Sequence, residues 1–168
     1  MVNVLKECRE RLEALTPQKT DCGKNCKAAC CRSLPEEESG MMLFPGEEAF
    51  YDGLTSYRVR ETDHGKLLIC NGTCDRAQRP LACRFFPLLP LCREDGIHVA
   101  LDLRADRVCP LTKRGFRDLD PDFSQAVGEC GRMLAASPAQ KAWLQRLTRE
   151  QDEIRELRAW FRGRPRRR

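Results

Sequence analysis

Residues 22–31 read CGKNCKAACC and hold four thiols, Cys22, Cys26, Cys30 and Cys31. A second group, Cys70, Cys74 and Cys83, lies in CNGTCDRAQRPLACRFFP, and Cys92 and Cys109 stand alone. Thiols at this density act as buried hydrophobes, disulfide partners, a reactive thiol with its resolver, or metal ligands. The chain has eleven cysteines, so any all-disulfide scheme leaves one over. The first ten residues, MVNVLKECRE, carry Lys6, Glu7 and Arg9 where a signal peptide needs an apolar stretch. The expected compartment is therefore the cytoplasm, where thiols stay reduced and dense cysteines point to metal or catalysis.

Two of the eleven fall on apolar stripes. Cys8 shares a helical face with Val4, Leu5, Leu12 and Leu15, and Cys130 one with Phe123, Ala126, Val127 and Leu134. Both are expected to be small core hydrophobes. The seven grouped cysteines sit instead among Gly, Lys, Asn, Asp and Arg. Metal binding needs a deprotonated sulfur, and positive neighbours favour the thiolate. Lys24, Lys27 and Arg32 flank the first group and Arg76, Arg79 and Arg84 the second, so they would offset the charge of a tetrathiolate site. Residues four apart share one helical face, so Cys22, Cys26 and Cys30 converge if the segment is helical or folds back in turns, while Cys31 points elsewhere, toward a second metal. Gly72 allows the tight loop between Cys70 and Cys74. The spacings match neither the C-x2-C pairs of common zinc fingers nor ferredoxin runs. They also miss the C-x3-C-x2-C run of radical enzymes, by one residue in the second gap. The pattern points to metal and leaves zinc, iron and an iron–sulfur cluster open.

Taken together, Cys22-x3-Cys26-x3-Cys30-Cys31, Cys70-x3-Cys74, Arg79-Pro80-x2-Cys83-Arg84-x-Phe86-Pro87 and Cys109-Pro110 resemble the YkgJ-like cysteine-cluster family, described as a zinc- or iron-chelating domain. MMLFPGEEAF resembles the short strand and acidic helix that follow that family's paired cysteines. The resemblance covers residues 20–112. It implies eight ligands: Cys22, Cys26, Cys30, Cys31, Cys70, Cys74, Cys83 and Cys109. Cys8, Cys92 and Cys130 fall outside it. Flagellin lysine N-methylases carry the same cysteine pattern, so the resemblance also raises a role related to protein lysine methylation.

Other chemistry has little support in the residues. His64 is expected in a hairpin turn and His98 on the outer face of a strand, both as ordinary surface. Asp102, Asp106 and the run Glu36–Glu38 read as solvated loops. No Gly-rich phosphate loop appears. From Lys141 onward ten Lys or Arg stand against four Asp or Glu, a local charge of +6 in a chain of net +5, which leaves −1 before it. The end, RGRPRRR, is expected to be a solvated tail. The competing reading is a binding module in which structural zinc displays this basic C-terminal helix to nucleic acid or an acidic partner. A third reading, a dithiol redox sensor, requires a low-pKa exposed thiol. No apolar run approaches the roughly 18 residues of a membrane span, so no membrane partner is expected.

The elements that would position the cysteines give an α+β expectation: a small single domain with a cysteine-rich, loop-heavy metal-binding region, short β-hairpins and N- and C-terminal helices. Residues 1–162 form that domain, with a cysteine-cluster core at 20–112 and C-terminal helices at 121–162; residues 163–168 form the basic tail. A helix over 2–15 ends at Thr16-Pro17. MMLF reads as a short buried strand, and PGEEAFYDG as a short helix with acids in its first turn. SYRVRE and KLLIC flank a turn near Asp63–Gly65, and FPLLPLC and IHVALDL flank REDG. Pro87 and Pro90 confine the first arm of that second hairpin to an edge or an irregular piece. Asp120-Pro121 opens one helix. Ser137-Pro138 opens another, with Gln140 at the capping-box position and an apolar stripe of Trp143, Leu147, Ile154, Leu157 and Phe161 that ends near Phe161.

Overall fold

Asp120 accepts a hydrogen bond from the Asp122 N–H and starts α4 (Pro121–Ala135), with proline at its first position. The expected stripe is the buried one: Phe123, Val127, Cys130 and Leu134 are fully buried and Ala126 nearly so. Each fully buried Leu or Phe contributes about 1.5–3 kcal/mol relative to exposure. The computed structural model describes residues 2–20, 22–31, 40–69 and 75–163. Within them α4 lies between α1 (Val2–Arg11) and a hairpin of β4 (Leu88–Arg93) and β5 (Gly96–Leu101). The register runs from Leu88 opposite Leu101 to Arg93 opposite Gly96. Pro90 pairs with Val99 in this two-stranded sheet, where it can lie on an edge because it has no N–H to give. Close approach needs Gly131 of α4: a Cβ there would come within 2.6 Å of the Pro90 Cβ and 2.8 Å of Ile97 Cγ2.

The hairpin's other neighbour is α5 (Pro138–Gly163), whose Trp143, Leu144, Leu147, Thr148 and Gln151 are buried. Thr148 Oγ1 accepts from the Cys92 N–H at 2.9 Å. The expected capping box is not made. The Ser137 N–H already donates to Leu134 O, so Gln140 turns inward, fully buried, and donates to Pro45 O at 2.7 Å. Beyond Gln151 the stripe leaves the core, with Leu157, Trp160 and Phe161 exposed.

The second sheet orders β1 (Gly40–Met42), β3 (Gly65–Ile69) and β2 (Arg58–Thr62), all antiparallel, with the expected turn at Asp63–His64. Leu43, Tyr51 and Leu68 form a small cluster under it, apart from the main core. α1 stops at Arg11 rather than at Leu15, and the chain continues in tighter turns, Glu13 N–H to Glu10 O and Leu15 N–H to Leu12 O. Leu5, Cys8 and Leu12 are buried as their spacing requires. The expectation of a small α+β domain with short antiparallel strand pairs and terminal helices holds. Among the described residues no helix is long and apolar enough to cross a membrane.

Candidate metal centre

Cys22 and Cys26 occupy the two ends of α2 (Cys22–Cys26), a helix of five residues that places them one turn apart. The helix cannot continue, because Lys27 and Ala28 adopt left-handed backbone with φ of 51° and 52°. That conformation costs non-glycine residues about 1–2 kcal/mol each. The reversal folds the chain back, with the Ala28 N–H on Gly23 O, into a 3-10 turn, Ala29–Cys31. Cys22, Cys26 and Cys30 thereby face one cavity of about 40 Å³. Cys109 reaches it from the far side of the sequence, at the start of a 3-10 helix, Pro110–Asp118. Gly23, Asn25, Phe86, Pro87, Val108, Pro110 and Leu111 complete the wall. Both proline-bearing motifs that carried the family resemblance thus border the cavity.

Cys31 is not part of the cavity's lining, but it does not point away from the group: its sulfur lies 3.9 Å from that of Cys30. The pair behaves as a unit. One thiol donates to the other, so one proton is held well above the usual thiol range and the other is released early. Cys31 is drawn down to about 6 by the Cys30 hydrogen bond, opposed by burial and aided by the Arg79 guanidinium. Cys26 and Cys83 add like charge near Cys30, and Cys26 near Cys109. Burial pushes the Cys109 thiol up. Six of the eight expected ligands are therefore electrostatic or cavity neighbours of one another. The other two, Cys70 and Cys74, lie outside the described residues.

Sharing a cavity is not yet coordination. The Cys26 thiol donates to Cys22 O at 3.7 Å, and among the described residues no three His, Cys, Asp or Glu side chains are arranged to hold a metal ion. The donor set still fits a thiophilic ion. The cavity offers several times the space one water needs, which is room for a single ion, and Cys22, Cys26, Cys30 and Cys109 are among its lining residues. The three remaining cysteines are elsewhere. Cys8 and Cys130 are fully buried and exchange S–H···O contacts with each other's carbonyls at 3.7 and 3.8 Å, and Cys92 is half-buried in β4.

α3 (Leu81–Phe85) carries Cys83, and a buried polar network that the sequence did not announce holds it in place. Glu47 is fully buried. It accepts from the Leu81 N–H at 2.6 Å, the Phe44 N–H at 3.0 Å and Arg9 Nη1 at 3.2 Å. Glu47 thus supplies the cap that Pro80, without a polar side chain, cannot give α3. Burial pushes its carboxyl up, against the pull of those donors. Arg9 also donates to Tyr51 and Ala77 O, and Tyr51 to Gln78 O. The expectation for 45–53 placed acids in the first turn of a short helix. The helix is there, a 3-10 turn over Glu47–Phe50, but Glu47 points to partners 34 and 38 residues away in sequence, which periodicity does not reveal.

Arg84 uses all five of its N–H donors, on Arg79 O, Arg9 O, Glu13, Arg76 O and Ala77 O. Arg76 donates to Glu13 O and Leu15 O. Of the arginines expected to offset thiolate charge, Arg79 acts on Cys31, whereas Arg76 and Arg84 fasten backbone. Asp102, expected as a solvated loop residue, is instead buried. It caps a 3-10 helix over Leu103–Arg107, pairs with Arg104 and accepts from Gln151. Asp106, His64 and His98 are exposed as expected, Asp106 paired with Arg158 and His98 with Asp95. No family model, curated protein or solved structure matches the chain.

Proposed function

We propose that the protein is a cysteine-cluster metal-binding protein of the cytoplasm that chelates zinc or iron through thiolates. The observation that carries this reading is the meeting of Cys22, Cys26, Cys30 and Cys109, drawn from segments about 80 residues apart, on the lining of one cavity. The resemblance to YkgJ-like cysteine-cluster domains supports it and adds Cys31, Cys70, Cys74 and Cys83 to the ligand set. Cys22, Cys26, Cys30 and Cys109 would hold the cavity ion. A bound ion of this kind supplies Lewis acidity or, for iron, one-electron chemistry. The chain's own part is to present thiolates: Arg79 favours ionisation at Cys31, and burial of Cys109 raises the cost of removing its proton. Binding would add folding free energy, because the sites of α2 and Cys109 have no other covalent tie.

Cobalt(II) titration of the reduced, metal-free full chain tests the reading. Thiolate-to-cobalt absorption should appear with the wild type and fall by at least one equivalent in Cys26→Ser and in Cys109→Ser. Saturating absorption identical in both variants and the wild type would refute the cavity assignment.

A further inference from the structure

The second half of α5 raises a separate question. Between it and the 3-10 helix Leu103–Arg107 runs an open groove of about 440 Å³. Its apolar lining is Leu103, Ile154, Leu157 and Phe161, and its polar lining is Arg104, Arg107 and Arg158 with no carboxylate. Leu157 is 55% exposed and Phe161 60% exposed, and Trp160 sets its edge against Phe161 at 4.9 Å between centroids. Side chains of this size left open on one helix face mark an interaction surface rather than scattered surface hydrophobics. From Ile154 to Phe161 the face spans two helical turns, about 10 Å.

We infer that this groove docks an acidic amphipathic helix of a protein partner, with apolar anchors at i, i+3 or i+4, and i+7 and carboxylates along its edges. Charge complementarity selects that occupant. Arg104 is paired with Asp102 and Arg158 with Asp106, but among the described residues no carboxylate pairs with Arg107, and Arg162 meets only the Arg158 carbonyl. The sequence then adds Arg164, Arg166, Arg167 and Arg168, which lie outside the described residues. Nucleic acid fits less well, because Leu103, Ile154 and Leu157 of the groove lining are aliphatic and give bases little to stack on. The groove is distinct from the thiol cavity and shares no residue with it.

Fluorescence anisotropy with the full chain tests this. The probe is a labelled helical peptide of about 15 residues, with leucines at i, i+3, i+4 and i+7 and glutamates elsewhere. The expected result is saturable binding that weakens about tenfold or more for a permuted peptide of the same composition, and likewise for Leu157→Ser, Phe161→Ser and Arg107→Glu. These three positions are exposed, so the variants should keep the wild-type melting temperature and metal content. The inference is overturned by equal binding of ordered and permuted peptides, or by variants that bind as the wild type does. It is also overturned by tighter binding to labelled single-stranded DNA or phosphatidylserine vesicles than to the ordered peptide.

Discussion

Replacing Arg84 by Met keeps much of the side chain's length and removes the guanidinium that joins α1, residues 76–79 and α3. Its consequence can be worked from the five bonds. Glu13 is half exposed and regains water at little cost. Arg76 O keeps the Arg79 N–H, and Ala77 O keeps Arg9 Nη2. Arg9 O and Arg79 O lose the donor that Arg84 aims at them. Arg9 O stands near the C-terminus of α1, where a cation also meets the negative end of the helix dipole. A buried carbonyl deprived of its donor costs about 1–3 kcal/mol; Arg9 O is buried and Arg79 O only part-buried and loses less, so the two together with the dipole contribution give about 2–5 kcal/mol. For a domain of this size each kcal/mol lowers the melting temperature by about 2–4 °C. Arg84→Met should therefore melt roughly 4–20 °C below the wild type in circular dichroism, both proteins metal-free. Arg84→Lys, with three donors, should fall between them. A melting temperature within about 2 °C of the wild type would show that these bonds do not hold the segment carrying Cys83.

Three further outcomes follow from the packing and the charges. Gly131→Val puts a branched side chain where even a Cβ lies 2.6 Å from Pro90, and should lose about 2–4 kcal/mol in urea unfolding; an unchanged midpoint would contradict the close approach of α4 to β4. Cys8→Ala and Cys130→Ala should each lose about 1 kcal/mol of packing and keep full metal stoichiometry; a missing metal equivalent in either would put that thiol in the ligand set. The Arg93 pair holds the Asp152 carboxyl below its ordinary 3.8, with Arg155 adding to it. A lowered carboxyl pKa stabilises the fold above its unfolded value and stops doing so as pH falls through the folded one. Asp152→Asn should thus cost about 0.5 kcal/mol at pH 7, a small amount because both partners are a third exposed, and nothing once the carboxyl is protonated; a difference that persisted or grew at low pH would reverse the sign.

Where residues carry their own start signal and their own period, the sequence was readable. Asp120-Pro121 and the five apolar positions after it place α4 and its core face, and the same face classifies Cys130 as packing. The stripe of α5 was equally visible, but periodicity reports an amphipathic face and not what covers it. Trp143 and Leu147 are buried, while Leu157 and Phe161 ten or more residues on are open. Glu47, Arg9 and Arg84 escaped for a different reason. Each is an ordinary charged residue locally, and its burial depends on donors and acceptors brought from 34 to 75 residues away. In the candidate site, spacing suggested that Cys22, Cys26 and Cys30 could converge, and all three line one cavity, whereas Cys31, expected to point elsewhere, keeps its sulfur 3.9 Å from that of Cys30. The arrival of Cys109 beside them could come only from the resemblance, since nothing local links RVCP to CGKNC.

Metal content of the full chain, purified without oxygen and without chelator, tests the central claim most directly. The account predicts at least one zinc or iron per chain by elemental analysis, with the cluster thiols slow to react with a thiol reagent until a chelator is added. Folded protein that carries no zinc or iron, cannot be loaded with either, and melts at the same temperature with and without chelator would contradict it.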